Sequence, residues 1–276
     1  MKRTLLITNV NSGSAAAVDE EMLLAGLQAG GFEIVRHIAL PDDELPDCSA
    51  VVAADIDIIA IVSGDGTISS LCANLSGWGG AILVLPGGTM NLLSRRLHGE
   101  QTLPQLVDRL SGISHEAAPV SVVRLLDREI LTGLTVGPST RWGKVREGIR
   151  QGDISVLTET VPAAWSETLA DDGVWIEGGE KQAYAGVFVE PVDADTLSVI
   201  AFRANSIGDM VGHGLAWLRR DFRDGPKDEL GALTDVTITG DDMMTGVLID
   251  GEYADHALPI TCSAAMSSIR FLRFMS

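Results

Sequence analysis

The sequence predicts an α/β domain followed by an all-β domain, and two observations support this fold class. Up to about residue 110, hydrophobic strands alternate with helical patterns, with strands near residues 3–9, 32–38, 56–62 and 81–85. Such alternation is typical of a parallel sheet covered by helices on both faces. After Gly112, short strands bounded by Gly, Asp and Pro follow one another, which favours an antiparallel sandwich.

The predicted boundary between the two domains lies near residue 117. Residues 1–117 form a doubly wound parallel-sheet domain, and residues 118–276 form a β-sandwich domain. Two helices are expected to interrupt the sandwich, near residues 140–150 and 207–220, and residues 268–274 have a strand pattern. The other predicted strands of this domain cover residues 120–126, 129–136, 174–177, 183–189, 197–202, 236–239, 246–250 and 258–262.

Composition and charge exclude several classes of protein. The 276 residues include 38 Asp and Glu but only 20 Lys and Arg, which gives a formal net charge of −18. Such a charge disfavours nucleic acid as a partner, because neutralising phosphates dominates that affinity. No apolar run is long enough to span a bilayer, and the first residues lack a signal-peptide pattern. Cys48, Cys72 and Cys262 have no metal-ligand spacing, so we expect reduced thiols in a cytoplasmic protein.

Three loops rich in Gly, Ser, Thr and Asn follow the first, third and fourth predicted strands. They cover residues 9–14, 63–67 and 86–91, and each leads into a helical pattern. Backbone N–H groups at a helix N-terminus bind phosphate well, because the helix carries partial positive charge there. Ligands of parallel sheets bind at the carboxyl ends of the strands, where these loops meet. One such turn alone is usually only a turn, but the three together predict a nucleotide site.

The residue types in these loops suit phosphate binding. Glycines allow the backbone to approach a ligand closely, and the hydroxyl groups add hydrogen-bond donors. Asn91 is predicted first as the cap of its helix and second as a ligand. Asp65 is interpreted as a Mg²⁺ ligand, a ribose partner or a catalytic carboxylate, with an Asx turn as the alternative. The predicted nucleotide-binding residues are Asn9, Ser12, Gly13, Ser63, Gly64, Asp65, Gly66, Thr67, Gly88, Thr89 and Asn91.

Four motifs together resemble the lipid kinase superfamily of diacylglycerol kinases, sphingosine kinases and bacterial lipid kinases, with NAD kinases as more distant relatives. They are Asn-x-x-Ser-Gly at residues 9–13, Ser-Gly-Asp-Gly-Thr at 63–67, Pro-x-Gly-Thr-x-Asn at 86–91 and Asp-Gly-Glu at 250–252. The resemblance implies that ATP and Mg²⁺ are cofactors and that a lipid hydroxyl accepts the phosphoryl group, with diacylglycerol as the default. It also implies a sandwich for the second domain and a return of the final strand to the first.

The resemblance also assigns catalytic residues. Glu252 matches the general base of the bacterial members, and Asp65 lies in the shared glycine motif. A carboxylate after a tight Asp-Gly turn is expected to be rigid and partly desolvated, which suits a base. The alternative is a plain hairpin, because Asp-Gly between strands is a strong hairpin signal.

The chain departs from the family pattern at several places, including a shortened glycine-rich loop at residues 189–192, and three of the others bear on the site. Val10 stands where proline is usual, and Val120 or Ser121 replaces an acidic residue at the start of the second domain. In the third, the segment before a later strand reads Asp195-Thr196-Leu197 instead of Asp-Gly-Leu. The resemblance still implies Asp195 as a metal ligand, with nearby carbonyl groups completing the site.

Two functions from different classes therefore stay open. The first is an ATP-dependent lipid kinase, and the alternative is a nucleotide-binding regulatory protein of the same fold with little or no kinase activity. NAD kinase is a weaker third option, because the motif pairing is that of the lipid branch. A kinase of this kind would meet its lipid by transient peripheral contact at the inner membrane face. Trp142 and Trp217, each beside cations, are the candidate contacts, with core packing as the alternative. A homodimer is left open.

Overall fold

The computed structural model describes residues 1–10, 12, 19–112, 114–141, 173–179, 181–202 and 227–274. These residues divide into two compact units, one of Met1–Val120 with Met266–Ser276 and the other of Ser121–Ala265. Several predictions lie outside the described residues: the helix over 207–220, most of the helix over 140–150, Gly13, Trp142 and Trp217. Of the helix predicted at 140–150, the described start is a short 3₁₀ turn, Pro138–Arg141.

The first unit is built on a parallel sheet with helices between its strands. The neighbours in the sheet follow the order β2-β1-β3-β4, and each pair is parallel. The strands are β1 (Lys2–Asn9), β2 (Phe32–Leu40), β3 (Ile58–Ser63) and β4 (Ala81–Pro86). The helices are α1 (Glu20–Ala29), α2 (Cys48–Ala53), α3 (Asp65–Asn74), α4 (Leu92–His98) and α5 (Leu103–Arg109). All residues of β3 and β4 are buried, which explains their unbroken hydrophobic runs.

The second unit is built from short strands. Two longer strands, β5 and β15, belong partly to each unit. In chain order the strands are β5 (His115–Leu125), β6 (Arg128–Ile130), β7 (Leu134–Val136), β8 (Val174–Ile176), β9 (Gly186–Pro191), β10 (Leu197–Phe202), β11 (Lys227–Leu233), β12 (Asp235–Gly240), β13 (Met244–Ile249), β14 (Glu252–Ala257) and β15 (Ile260–Phe274).

A six-stranded antiparallel sheet forms one layer of the second unit, in the order β11-β10-β9-β7-β13-β14. Strand β12 pairs antiparallel with β8 on one side and with the first part of β15 on the other. Buried side chains from both groups of strands, such as Val189, Val247 and Ile260, share one core cluster. The predicted fold class, a parallel α/β domain followed by an antiparallel β domain, is confirmed.

The last part of β15 completes the sheet of the first unit. Arg270 and Phe271 pair parallel with Ala81 and Ile82 of β4. The side chain of Leu272 lies in the core of the first unit, where it is 1% exposed.

Two strands were not predicted from the sequence, and both are edges of the six-stranded sheet. Strand β11 reads Lys-Asp-Glu-Leu-Gly-Ala-Leu, and β14 reads Glu-Tyr-Ala-Asp-His-Ala. Edge strands often carry charged residues that prevent pairing with other chains, and such residues weaken the hydrophobic alternation. The predicted strand over 129–136 is in fact two strands, β6 and β7, and the one over 258–262 is the start of β15. Within the described ranges, no helix is long and apolar enough to cross a bilayer.

Candidate functional site

Three neighbouring strands of the first unit bring the predicted nucleotide loops to one edge of the sheet. Strands β1, β3 and β4 are adjacent and parallel, and Thr8 pairs with Val62 while Ser63 pairs with Pro86. The loops that follow these strands therefore start side by side at the carboxyl ends. This is the edge at which ligands of open parallel sheets bind.

Hydrogen bonds join the first loop to the second. The Ser12 hydroxyl accepts a hydrogen bond from the Gly64 N–H at 3.1 Å and lies 3.3 Å from the Ser63 hydroxyl. The Asn9 side-chain amide donates to the Thr67 hydroxyl at 3.2 Å. The structure thus brings together Asn9, Ser12, Ser63, Gly64 and Thr67, as the parallel-strand argument predicted.

The two glycine turns lie in direct backbone contact. A Cβ atom on Gly88 would lie 2.5 Å from the Cα atom of Gly64, so a side chain at Gly88 would push the turns apart. A Cβ atom on Gly87 would meet the Ser63 nitrogen at 2.7 Å. At Gly64 a Cβ would instead make ordinary contacts, 3.4 Å from the Ser12 hydroxyl and 3.5 Å from the Gly88 Cα. Gly64 is therefore the turn glycine at which a methyl group fits without displacing the backbone.

Helix α3 begins directly at the second loop. Gly64 is its N-cap residue, with extended backbone and no capping side chain, and the Ile68 N–H donates to the Gly64 carbonyl at 3.2 Å. The N–H groups of the first turn precede that bond, so they have no acceptor within the helix. Those N–H groups, at Gly66 and Thr67, can bind an anion, with support from the positive end of the helix.

Two glycine N–H groups of these turns are already hydrogen-bonded within the protein. The Gly64 N–H donates to Ser12, and the Gly88 N–H donates to the Asn91 side-chain oxygen at 2.7 Å. Among the described residues, the donors that remain at this edge are the first turn of α3 and the hydroxyl groups, including that of the exposed Thr89. In this conformation, Gly64 and Gly88 contribute mainly by their small size.

Asn91 does not cap its helix, so that prediction is wrong. Its backbone has a φ of 50°, in the left-handed region that asparagine tolerates. Its side chain turns back onto the preceding loop, where it also donates to the Gly88 carbonyl at 2.9 Å. Asn91 therefore stabilises the Pro-Gly-Gly turn, and another residue caps α4.

That residue is Asp65, from the other glycine turn. One carboxylate oxygen accepts a hydrogen bond from the Leu92 N–H and the other from the Leu93 N–H, both at 3.0 Å. The sequence had left a metal, ribose, catalytic or local turn role open for Asp65. None of the roles predicted for Asp65 includes a contact with the start of α4, which is 27 residues further along the chain.

The predicted base, Glu252, lies in the second unit and begins β14. Asp250 and Gly251 form a two-residue turn with φ of 50° and 87°, and Ile249 pairs with Glu252 across the hairpin. Positive φ at both positions is typical of the type I′ turn that Asp-Gly favours. Glu252 is exposed, so the expected partial desolvation of its carboxylate is wrong.

Asp250 holds this hairpin in place from below the surface. It is 6% exposed, and its carboxylate accepts hydrogen bonds from the Thr132 N–H at 2.7 Å, the Thr132 hydroxyl at 2.9 Å and the Leu131 N–H at 3.3 Å. Thr132 is not predicted from the sequence, because nothing in the residues around it indicates a contact with Asp250.

Asp195, the predicted metal ligand, lies exposed on the loop between β9 and β10. Its N–H donates to the Asp193 carboxylate at 3.0 Å, and hydrogen bonds from Thr196 and Asp195 lower the pKa of Asp193. Val120 or Ser121 stands where the resemblance implies an acidic residue, and the Ser121 hydroxyl donates to the Val192 carbonyl at 3.2 Å. Among the described residues, no three His, Cys, Asp or Glu side chains are grouped to hold a metal ion.

Comparisons with known proteins agree with this geometry. The family model for the Diacylglycerol kinase catalytic domain matches residues 3–125. A diacylglycerol kinase structure from Bacillus anthracis str. Sterne is 18% identical, with a TM-score of 0.64, 98% of this chain covered and 96% of that one. A proposed diacylglycerol kinase from the same strain is 17% identical, with a TM-score of 0.65 and the same coverage. No curated protein matches the chain.

At these identities the likeness to solved structures shows a shared two-domain fold, and it extends over nearly the whole chain. The family model is independent of that likeness and covers the three loops that build the candidate site. Residues 3–125 therefore match the diacylglycerol kinase catalytic domain, in agreement with the three motifs that lie within this range.

Proposed function

We propose that this protein is an ATP-dependent kinase that transfers the γ-phosphoryl group to a lipid hydroxyl, with diacylglycerol as the default acceptor. The observation that carries the proposal is the backbone contact between Gly64 and Gly88, at the start of α3, within a region that matches the kinase domain. This contact joins two turns of the kind that binds phosphate into one surface, and such a surface suits the polyphosphate of a nucleotide.

The residues present fit ATP in three respects. Glycines at the junction let the backbone approach a ligand, since the space beside Gly64 is one that a Cβ would occupy. The first turn of α3 supplies N–H donors to an anion. The hydroxyl groups of Ser12, Ser63 and Thr67 already lie within one hydrogen-bonded network at that edge.

Mg²⁺ is proposed to bind together with the nucleotide. In kinase sites Mg²⁺ is held by the phosphates and one or two carboxylates, so a protein cage is not required. When bound, the ion would neutralise negative charge on the phosphates.

Glu252 is the proposed general base toward the lipid hydroxyl. It directly follows a hairpin turn that Asp250 anchors through Thr132 and Leu131, so its backbone is fixed while its side chain is exposed. A base must reach the hydroxyl proton, and an exposed carboxylate on a rigid turn meets that need. The acceptor would be presented at a membrane surface during transient peripheral contact.

The test is transfer of label from ATP, labelled at the γ-phosphate, into a lipid extract by the purified protein with Mg²⁺. We expect label in the lipid phase, and purified diacylglycerol then tests the default acceptor. ATP binding without transfer to any lipid would favour the regulatory alternative. Absence of ATP binding would overturn the kinase and the regulatory protein alike.

A further inference from the structure

We propose that His37 is a positioning residue for the proposed ATP site. From β2 it contacts Thr8 and Glu20, close to the two ends of the connection between β1 and α1, and so holds the first loop against the second. The inference rests on the proposed function, because the first loop is part of the proposed ATP site. One of its two tests nevertheless needs no nucleotide.

The contacts of His37 are the first observation. Its Nε2 atom lies 2.9 Å from the Thr8 hydroxyl, and its Nδ1 atom lies 3.5 Å from a carboxylate oxygen of Glu20. Thr8 directly precedes Asn9, the last residue of β1, and Glu20 is the first residue of α1. One side chain of β2 therefore contacts the chain just before the first loop and just after it.

The chemistry of histidine suits these two neighbours. A neutral imidazole has one N–H donor and one acceptor nitrogen. With the proton on Nδ1, the ring presents its donor to the Glu20 carboxylate and its acceptor to the Thr8 hydroxyl. The Glu20 side chain is 63% exposed, and exposed ion pairs contribute little. The shorter contact, with Thr8, is therefore the stronger of the two.

Strand register explains why the side chain of His37 reaches this place. His37 pairs with Leu6 of β1, and Thr8 lies two residues further along β1, on the same face as Leu6. Helix α1 covers that face, because Leu6 and Leu23 share one core cluster. The polar contacts of His37 thus lie beyond the apolar layer of this face, toward the carboxyl ends of the strands.

The residues that follow Thr8 connect these contacts to the proposed ATP site. Asn9 donates to the Thr67 hydroxyl at 3.2 Å, and Ser12 accepts from the Gly64 N–H at 3.1 Å. Both hydrogen bonds depend on where the first loop lies relative to the second. A contact that fixes the start of the first loop therefore affects the site without touching its phosphate donors.

The expected effect is moderate, because β2 also holds the first loop through its backbone. The Val10 N–H donates to the Leu40 carbonyl at 3.3 Å, and this hydrogen bond does not involve the side chain of His37. His37 itself is exposed, so its replacement should leave the melting temperature close to that of the wild type. We therefore expect a loosened loop in a folded protein.

The first test measures ATP affinity, KM for ATP, kcat and melting temperature. His37→Ala should weaken ATP binding and raise KM about fivefold, with kcat within about twofold of the wild type. Thr8→Val removes only the hydroxyl contact and should weaken ATP binding about threefold. Val35→Ala is the matched control and should keep wild-type affinity. Val35 lies two residues earlier on β2 and is likewise exposed, at 37%.

The double variant Thr8→Val/His37→Ala distinguishes a shared contact from two separate effects. If the contact carries the loss, the double variant should bind ATP as weakly as His37→Ala alone, because the contact is already gone. Losses that multiply would overturn the inference.

Three further outcomes would also overturn it. Wild-type ATP affinity in His37→Ala would remove the positioning role. A loss in His37→Ala with wild-type affinity in Thr8→Val would mean that His37 contacts the nucleotide directly. A fall in kcat at constant KM would place His37 in the chemical step.

The second test is amide hydrogen exchange at Gly64 in the absence of nucleotide. The Gly64 N–H donates to Ser12 of the first loop, so its exchange should accelerate in His37→Ala and keep the wild-type rate in Val35→Ala. An unchanged rate in His37→Ala would contradict the inference even if the protein binds ATP. If the wild-type protein does not bind ATP, the proposed function fails, and this exchange rate still decides whether His37 holds the loop.

Discussion

The two Asp-Gly pairs of this chain share a sequence and occupy different structures. Asp65-Gly66 opens a helix in the first unit, and Asp250-Gly251 closes a hairpin in the second. Yet both aspartates accept two successive backbone N–H groups from a distant segment: Leu92 and Leu93 for one, Leu131 and Thr132 for the other. In each unit the aspartate therefore fixes the backbone of a distant segment.

The surroundings of the two carboxylates differ in a way that separates function from stability. Asp250 is 6% exposed, whereas Asp65 is half-buried at the open edge of the sheet. An unsatisfied polar group costs more free energy when it is buried. We therefore expect loss of the Asp250 carboxylate mainly to destabilise the fold, and loss of the Asp65 carboxylate mainly to weaken the nucleotide site.

The largest expected effect is on catalysis, at the residue that follows the second Asp-Gly pair. Glu252→Gln keeps the size of the side chain and removes its basicity, so kcat should fall by about 10² or more while ATP still binds. The measurement is steady-state transfer to lipid together with ATP affinity. Asp255→Asn, an exposed carboxylate on the same strand, is the control and should keep near-normal kcat. Normal turnover in Glu252→Gln would make Glu252 a hairpin residue only.

The second effect is on stability, and it tests the expected difference between Asp250 and Asp65. Asp250→Asn should lower the free energy of unfolding by about 3 kcal/mol, because buried N–H groups lose a charged acceptor. Asparagine tolerates the positive φ at this position, so the change isolates the carboxylate. Thr132→Val, which removes only the hydroxyl contact, should cost about 1 kcal/mol. Urea unfolding measures each value, and an equal loss in Asp65→Asn would contradict the proposed division of roles.

The third effect concerns how the stability of the first unit depends on pH. In the first unit, burial lowers the pKa of His98 to about 4, with its ring bonded to the Val84 carbonyl and with Arg109 and His115 nearby. In the unfolded chain this group has its ordinary pKa of about 6.5. As pH falls, His98 is therefore protonated in the unfolded chain before it is protonated in the folded protein. Stability should be complete above about pH 6.5 and decline toward pH 4, by about 2–3 kcal/mol.

Unfolding by urea across that pH range measures the decline, and His98→Gln should reduce it. His37→Gln serves as the control, since His37 is an exposed histidine of the same unit. An undiminished acid loss in His98→Gln would assign the effect to other groups.

The smallest effect concerns the backbone contact between Gly64 and Gly88. Gly64→Ala fits sterically and should keep the wild-type melting temperature while weakening ATP binding by about fivefold, or about 1 kcal/mol. Gly88→Ala should lower the melting temperature, because its Cβ meets the Gly64 backbone. Full ATP affinity in Gly64→Ala would contradict the assignment of this junction to phosphate.

The parts of the fold that sequence predicted well are those determined by burial. Strands β3 and β4 were placed within two residues, because strands buried on both faces have unbroken apolar runs. The meeting of Asn9, Ser12 and the second loop followed from parallel strand order alone. The edge strands β11 and β14 were missed because their charged residues hide the alternation.

The roles within the site were harder to predict for a physical reason. Whether Asn91 or Asp65 caps α4 depends on which side chain reaches the free N–H groups, and that depends on the approach of two turns far apart in sequence. The exposure of Glu252 depends likewise on packing around its hairpin. Motif spacing identifies such residues, but it does not indicate which group each polar side chain hydrogen-bonds in the folded protein.

The long strand β15 has a consequence for biosynthesis. Its first part pairs with β12 in the second unit, and its last part pairs with β4 in the first. While the ribosome extends the chain, β4 therefore lacks this neighbour and Leu272 is missing from the core until β15 has emerged. The first unit can become complete only after the whole second unit has been translated. Nascent chains stalled before β15 should thus expose an unpaired strand edge and depend on chaperones.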